Sequence, residues 1–308
     1  MDLPFVPASA MSDLCTTRDA VDALEASLRG GFDPEDDLQR TGAALPAGQF
    51  LMMPSALGEL AGLKLVSLAP GNPALGRPFV QAIYVLMDGE TLTPLATFDG
   101  TYLTTLRTAA VSALAARHMA RSDASRLAVF GAGVQAWAHV QSFADVLPLR
   151  HVDVVGRDTS RATALTQRIR DELGISASPA TADAVADADL VACCTTSRAP
   201  LFDGSLLKPE ATVVAIGAYE PDARELDDTT MARGVVVVES LVSALREAGD
   251  VIQAIKAGAL EQQELQTLRS LVLGEVTFPE DVVRVFKGTG MSWQDLSVAG
   301  LLHSRLSL

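Results

Sequence analysis

Near the start of the chain the hydrophobic positions recur at helical spacing: Val21, Leu24 and Leu28 follow Thr16-Thr-Arg-Asp19 and stop at Gly30-Gly31. A threonine with an acid three residues on is a capping box, so a capped amphipathic helix is predicted here. The pattern then shortens. Phe50-Leu-Met-Met-Pro54 and Leu63-Lys-Leu-Val-Ser-Leu68 read as short strands, the second ending at the turn-rich Pro70-Gly-Asn-Pro73. Residues 79–87 and 92–98, joined around Asp88-Gly89, predict a hairpin. These elements together imply an α+β unit.

From Leu106 the character changes. Residues 106–120 form a helical pattern dense in alanine (Ala109, Ala110, Ala113, Ala115, Ala116), which lets neighbouring backbone approach closely and suggests a bridge between two domains. Beyond it, continuous apolar runs at 127–130, 152–155, 190–194, 212–216 and 235–238 alternate with helical patterns, among them 134–146 and 159–173. Such runs separated by helices indicate a parallel sheet covered on both faces, hence an α/β, doubly wound Rossmann domain. From Phe286 onward mixed polar and apolar turns are expected to fold back onto the N-terminal unit. The predicted organisation is a Rossmann domain, residues 115–287, inserted into an α+β domain made of 1–114 and 288–308.

Composition narrows the function. Of 308 residues 48% are hydrophobic, enough for a sizeable core, and 24 Lys+Arg against 38 Asp+Glu give a net charge of -14. That field repels nucleic acid and anionic lipid, so neither is expected as a partner. A small anion is still admissible, because a few buried cations dominate a pocket locally. Three cysteines, Cys15, Cys193 and Cys194, supply no disulfide framework and fit a reduced, cytoplasmic setting. The last two sit in the apolar run Leu190-Val-Ala-Cys-Cys194 and read as small hydrophobes. No His or Cys spacing resembles a zinc site, so no metal is expected. No apolar stretch approaches the ~20 residues of a spanning helix, and residues 1–10 lack a secretory pattern.

Leu127-Ala-Val-Phe130 runs into Gly131-Ala-Gly-Val-Gln-Ala136 and a helix. Gly131 permits the tight turn, Gly133 lets a pyrophosphate approach the backbone, Val134 and Gln135 open the helix whose amides face the phosphates, and Ala136 is small enough for helix–sheet packing. The second strand ends at Gly156-Arg157-Asp158-Thr159-Ser160-Arg161. An NAD site wants an acid at the strand tip. Gly156 at that position, followed by Arg157, Ser160 and Arg161, instead leaves room and charged donors for a 2′-phosphate, which favours NADP(H) over NAD(H). A register two residues different would make Asp158 the ribose acid.

Three cations before the nucleotide domain stand in suggestive contexts: Arg40, Lys64 inside an apolar strand, and Arg107 opening the alanine-rich helix as Leu106-Arg-Thr-Ala-Ala110. Taken one by one, each also suits a structural ion pair or a solvated surface position. His118 and His139 read as ordinary helix residues, and Asp222, Arg224 and Glu225 as local ion pairs fixing a turn.

With Phe50-Leu-Met-Met-Pro54, Leu63-Lys-Leu-Val-Ser67, Pro70-Gly-Asn72, Leu106-Arg-Thr-Ala-Ala-Val-Ser-Ala-Leu114, Gly131-Ala-Gly-Val-Gln-Ala136, Pro221-Asp-Ala-Arg-Glu-Leu-Asp227 and Phe286-Lys-Gly-Thr-Gly290 in order, the chain resembles the ornithine cyclodeaminase/mu-crystallin family. The resemblance implies a homodimer whose N-terminal domain carries the subunit contact and the substrate. It implies that Arg40, Lys64 and Arg107 converge on a substrate carboxylate beside the nicotinamide, and that Arg107, Thr108, Thr195, Thr196, Ala218 and Thr289 contact the cofactor. Met53, Tyr219 and Trp293 are candidate pocket walls. One departure affects the chemistry: where ornithine cyclodeaminases carry an aspartate for the substrate's amino group, this chain has Tyr219, and a phenol with a reference pKa near ~10 takes no proton from an ammonium at neutral pH. Glu220 would substitute only with a shifted backbone. The reading is therefore an NAD(P)H-dependent reductase acting on C=N bonds, with Δ1-pyrroline-2-carboxylate or Δ1-piperideine-2-carboxylate as substrate. The alternatives are ornithine cyclodeamination and non-catalytic binding of NADPH and a small carboxylate.

Overall fold

The computed structural model describes residues 3–306; Met1, Asp2, Ser307 and Leu308, the outermost residues of the expected discontinuous domain, lie outside the described residues. The chain opens with β1 (Phe5–Val6) and α1 (Ala8–Leu14). Thr16 then caps α2 (Thr17–Arg29) as predicted: its hydroxyl accepts the Asp19 amide, and its own amide donates to the Asp19 carboxylate. Strands β2 (Thr41–Leu45), β3 (Gly48–Leu57), β4 (Leu60–Leu68), β5 (Val80–Asp88) and β6 (Pro94–Asp99) follow, each antiparallel to the next. With β1 parallel to β6 they make a six-stranded sheet in the order β1-β6-β5-β4-β3-β2. The β5–β6 hairpin stands where the sequence places it. Strands β3 and β4 extend well beyond 50–54 and 63–68 and meet in their own hairpin, and β2 is an exposed edge strand with no strong strand pattern.

Register decides what this sheet does. Met53 lies opposite Lys64, Lys64 opposite Tyr84, and Tyr84 opposite Phe98, so the four side chains share one face, and all four are buried. Met52, Leu65 and Ile83, with Pro54, Leu63 and Val85, form the other face and stay partly exposed.

Helix α3 (Gly100–Met119) begins earlier than Leu106 because the Asp99 carboxylate accepts the Thr101 and Tyr102 amides and caps it. After it come β7 (Arg126–Phe130), α4 (Val134–Val146), β8 (His151–Val155), α5 (Thr159–Leu173), β9 (Ser176–Ala180), β10 (Leu190–Cys193), β11 (Thr212–Ala215), α6 (Asp228–Ala232), β12 (Gly234–Val238), α7 (Leu241–Glu247), α8 (Gly249–Lys256), β13 (Gln266–Thr267), α9 (Leu268–Val272) and β14 (Val283–Lys287). Eight parallel strands in the order β13-β12-β14-β11-β10-β7-β8-β9 form the doubly wound sheet. Strand order reverses between β7 and β10, and in such sheets the crevice beyond the strand ends at that point takes the ligand.

The expectation of turns from Phe286 onward is corrected. Val283, Val285 and Phe286 are buried in β14, in the middle of the parallel sheet, and the chain then forms α10 (Ser292–Ser304). Helix α10 packs on α2, β3, β4 and β5 and is buried nearly all round. A helix without a solvent face shows no amphipathic period, and Ser292, Gln294, Asp295 and Ser297 in this one mimic a loop. The chain divides into two compact units, Met1–Thr108 with Met291–Leu308, and Ala109–Gly290. Among the described residues no helix is long and apolar enough to cross a membrane.

Candidate functional site

In the first unit Lys64 points inward from the middle of β4 and is only 1% exposed. Its Nζ donates to Asp295 Oδ2 at 2.6 Å, and Arg107 Nε lies 3.4 Å from Asp295 Oδ1. Arg107 Nη1 also donates to Gln294 Oε1 at 2.9 Å. Two cations from β4 and α3 thus meet one carboxylate on α10, all three buried. Burial first, and the Arg107 charge second, lower the Lys64 pKa to about 7, against the pull of Asp295; the Arg40 charge pushes the same way from its half-buried place before β2.

The same unit holds orphaned polar atoms. The Tyr84 hydroxyl and Trp293 Nε1 are buried without a hydrogen-bond partner among the described residues, and Arg107 Nε and Asp295 Oδ1 make no hydrogen bond beyond their mutual 3.4 Å ion pair. Buried polar groups are satisfied almost everywhere in folded proteins, so such a cluster suits a site that completes itself with a polar ligand. Asp37 borders it: its carboxylate accepts the Ser55 hydroxyl and the Trp293 amide, and burial raises its pKa to about 6. Met53 is buried beside Lys64 in the sheet, and Trp293 packs its ring 5.5 Å from that of Phe32.

In the second unit a cavity of about 830 Å³ opens at the strand ends, lined by Gly131 and Gly133 after β7, Gly156, Arg157, Asp158 and Arg161 after β8, and Thr195 and Thr196 after β10. Gly131 has φ +113°, and a Cβ there would stand 2.7 Å from the Cys194 carbonyl oxygen, so this turn requires glycine. Gly133 is different. A Cβ on it would have no protein atom within 4 Å, so nothing in the protein demands its absence, and the space left open faces the start of α4. That helix has no side-chain cap, whereas Asp158 caps α5 by accepting the Ser160 and Arg161 amides. Uncapped amides beside an open glycine are the anion site a pyrophosphate needs, so the residues present fit a dinucleotide. Val134, the first residue of α4, is 69% exposed, an unusual position for a valine unless a ligand covers it.

The Asp158 carboxylate, engaged by two amides and the Ser160 hydroxyl and 3.7 Å from Arg161, is committed to the helix cap. Arg157 is exposed at the strand tip. Thr195 is anchored by Glu225, Ala218 is buried and Tyr219 half-buried in the loop after β11, and the Thr289 amide donates to Glu239. Thr108 stands on α3, its hydroxyl donating to the Thr104 carbonyl. His139 is a buried residue of α4: its Nδ1 donates to the Gln135 carbonyl and its Nε2 accepts the Ser112 hydroxyl, and burial lowers its pKa to about 4, so the ring is neutral. Burial likewise raises the Cys193 and Cys194 thiols well above their ordinary range.

The expected local ion pair holds for Arg224 with Asp228; Asp222 instead pairs with Arg198 on another loop, and Glu225 is fully buried and serves backbone and hydroxyl donors. Glu220 pairs with Arg198 at 2.9 Å on the surface. Asp295, Asp37 and Tyr84 escaped the sequence reading, and Glu225 entered it only as a local ion pair. Two had a usable signal: Asp295 is the only carboxylate side chain in the sequence after Asp281, and Tyr84 follows from pairing β4 with β5.

The model of the ornithine cyclodeaminase/mu-crystallin family matches residues 9–307. A Δ1-pyrroline-2-carboxylate reductase of Bacillus cereus is 34% identical over 263 residues, which cover 83% of this chain and 81% of that protein. The solved Δ1-pyrroline-2-carboxylate reductase of Thermococcus litoralis, in complex with NADH and L-proline, superposes with a TM-score of 0.92 at 27% identity, covering 98% of this chain and 97% of that one. An archaeal alanine dehydrogenase dimer with bound NAD also gives 0.92, at 28% identity, covering 99% and 96%. Two folded units carrying a buried cation cluster and an open glycine turn, and a match along almost the whole chain, place this protein in the ornithine cyclodeaminase/mu-crystallin family.

Proposed function

We propose that the protein is an NAD(P)H-dependent reductase that converts a cyclic imino acid or ketimine, Δ1-pyrroline-2-carboxylate or Δ1-piperideine-2-carboxylate, to the L-amino acid. The observation that carries this reading is the buried Lys64–Asp295–Arg107 cluster, a cationic acid–base group on an otherwise apolar sheet face. Arg40 and Arg107 bind the substrate carboxylate and fix the ring by charge-assisted hydrogen bonds. Lys64, with a pKa of about 7, donates a proton to the imine nitrogen, and Asp295 holds the ammonium in place. Met53 forms a wall beside Lys64. The reduced nicotinamide, when bound, supplies the hydride. Gly131, Gly133, Val134 and Gln135 receive its pyrophosphate, and Thr195, Thr196, Ala218 and Thr289 complete its site, with Arg107 and Thr108 also assigned to it.

NADP(H) is favoured over NAD(H), because Asp158 is committed to capping α5, where it also takes the Ser160 hydroxyl proton, while Arg157 and Arg161 line the cavity where a 2′-phosphate would lie. Two relatives were solved with NADH and with NAD, so both cofactor forms enter the test below. A homodimer is part of the same reading, supported by the partly exposed apolar face of Met52, Leu65, Ile83, Pro54, Leu63 and Val85. Cyclodeamination is disfavoured: Tyr219 stands where it needs a carboxylate, and Glu220 is engaged at the surface by Arg198. The decisive experiment is loss of NADPH and NADH absorbance with five- and six-membered ring imines. Turnover confirms the assignment, whereas ammonia release from ornithine without net cofactor change, or full activity in Lys64→Ala, overturns it.

A further inference from the structure

Glu225 has no part in the reaction described above, yet it is fully buried and bonded to Thr195, which lines the dinucleotide cavity. Its Oε1 accepts the Thr195 amide at 2.9 Å and the Thr195 hydroxyl at 2.7 Å, and its Oε2 accepts the Gly217 amide at 2.7 Å. Thr195 follows β10 and lines the cavity; Gly217 follows β11 and leads into Ala218 and Tyr219. The two loops touch so closely that a Cβ on Gly217 would stand within 1.8 Å of the Thr195 carbonyl oxygen, and the Leu201 amide donates to the Glu225 carbonyl. On the outer surface Arg198 joins the same loops again through Glu220 and Asp222. We propose that Glu225 is a positioning residue whose carboxylate ties the loops after β10 and β11 into one lip of the cofactor cavity, so that nicotinamide dinucleotide affinity depends on its ionised form.

The geometry sets the protonation requirement. Both amide partners are donors only, and the Thr195 hydroxyl already accepts the Ser197 amide, which turns its proton toward Glu225. A neutral acid would place its own O–H against an N–H and lose one of the three bonds. The charged and titratable neighbours are Lys287 of β14, which favours the carboxylate, Asp250 of α8, which opposes it, and the thiols of Cys193 and Cys194, which burial keeps protonated through neutral pH. Burial raises the Glu225 pKa to about 7 despite Lys287, so the carboxylate titrates within a measurable range.

The inference rests on the reading of this cavity as a nicotinamide dinucleotide site, and equilibrium binding tests the two separately. NADH is the probe, because it lacks the 2′-phosphate of NADPH, whose own ionisation falls near ~6. Nicotinamide fluorescence of the wild-type protein should show NADH affinity falling about tenfold between pH 8 and pH 6, as the competent fraction falls. Glu225→Gln, folded by circular dichroism, should bind weakly with no pH dependence. Thr195→Val, which removes one bond to the carboxylate, should move the wild-type midpoint to higher pH whatever its effect on affinity, and it keeps the test available should Glu225→Gln fail to fold. A wild-type protein binding neither NADH nor NADPH overturns the cofactor reading. Wild type that binds with a flat pH profile, Glu225→Gln that keeps wild-type affinity, or an unmoved midpoint in Thr195→Val overturns the role of Glu225.

Discussion

Replacing Asp295 by asparagine keeps the side-chain shape and removes the one negative charge in contact with both Lys64 and Arg107. Deleting one partner of a buried pair ordinarily costs ~3–5 kcal/mol, because the survivor stays charged and dry. Here Lys64 has an escape. With a pKa of about 7 in the intact cluster, giving up its proton at pH 7 costs only ~0.4 kcal/mol, and without Asp295 its pKa falls further. Arg107 retains its bond to Gln294. The folded pKa lies below the unfolded value, so the folded state binds fewer protons and the variant is penalised most where solution forces protons on. Destabilisation should therefore be about 1 kcal/mol at pH 8 and about 2 kcal/mol at pH 5.5, since a one-unit fall in the Lys64 pKa is worth at most ~1.4 kcal/mol. Catalysis should respond with the opposite emphasis: a Lys64 pKa lower by at least ~1 unit leaves a tenth as much ammonium above neutrality. Thermal melts and kcat/KM for Δ1-pyrroline-2-carboxylate from pH 5.5 to 9 test both, since the substrate's own titration is common to the two enzymes. The variant should lose about tenfold in kcat/KM at pH 8 and recover toward acid pH. An unchanged midpoint, or a stability loss independent of pH, refutes the coupling of Asp295 to Lys64.

Two further outcomes follow from surfaces already described. Removing Arg157 and Arg161 together by alanine substitution should raise KM for NADPH at least about tenfold while leaving NADH nearly unchanged, as loss of charge-assisted donors to a 2′-phosphate requires; equal effects on both cofactors in steady-state kinetics would contradict the assignment. Leu65→Asp, on the partly exposed face of the six-stranded sheet, should convert a dimer to a folded monomer in mass photometry, because an unpaired carboxylate is costly in an apolar interface; an intact dimer would place the subunit contact elsewhere.

Much of the second unit was legible because many of its elements carry a local signal. The run of apolar residues in β7, the glycine turn and the start of α4 are contiguous, and helices α4 and α5 fall at the residues their patterns predict. The first unit was less legible because its chemistry is assembled over long separations. Lys64 and Asp295 are far apart in the chain, and nothing near Lys64 distinguishes an inward-pointing lysine from a solvated one until β3 and β5 are paired on either side of β4. Helix α10 hid its aspartate for a related reason: burial on every side erases the period by which helices are recognised. Strand β14 was overlooked because Arg284 and Lys287 interrupt its apolar run, although it takes a central place between β11 and β12.

The depressed pKa of Lys64 has a consequence for how the acid is loaded. In the ligand-free cluster, burial and the Arg107 charge outweigh Asp295, so above pH 7 most of the lysine is neutral. A substrate carboxylate arriving among Arg40, Arg107 and Lys64 adds a second negative charge, and a nearby opposite charge raises such a pKa by ~1–2 units. Binding should then draw a proton onto Lys64, charging the donor only when there is an imine to receive it. A non-reducible ring carboxylate such as pyrrole-2-carboxylate, which does not titrate between pH 6 and 9, isolates the effect. Calorimetry in buffers of different ionisation enthalpy should report uptake of about half a proton or more per site at pH 8. At pH 6, where Lys64 is already charged, uptake should approach zero. Lys64→Met should bind more weakly and take up none at either pH. Buffer-independent binding heat in the wild-type protein at pH 8 would mean that Lys64 is fully charged before the ligand arrives, and that its burial beside Arg107 is structural rather than a means of timing proton delivery.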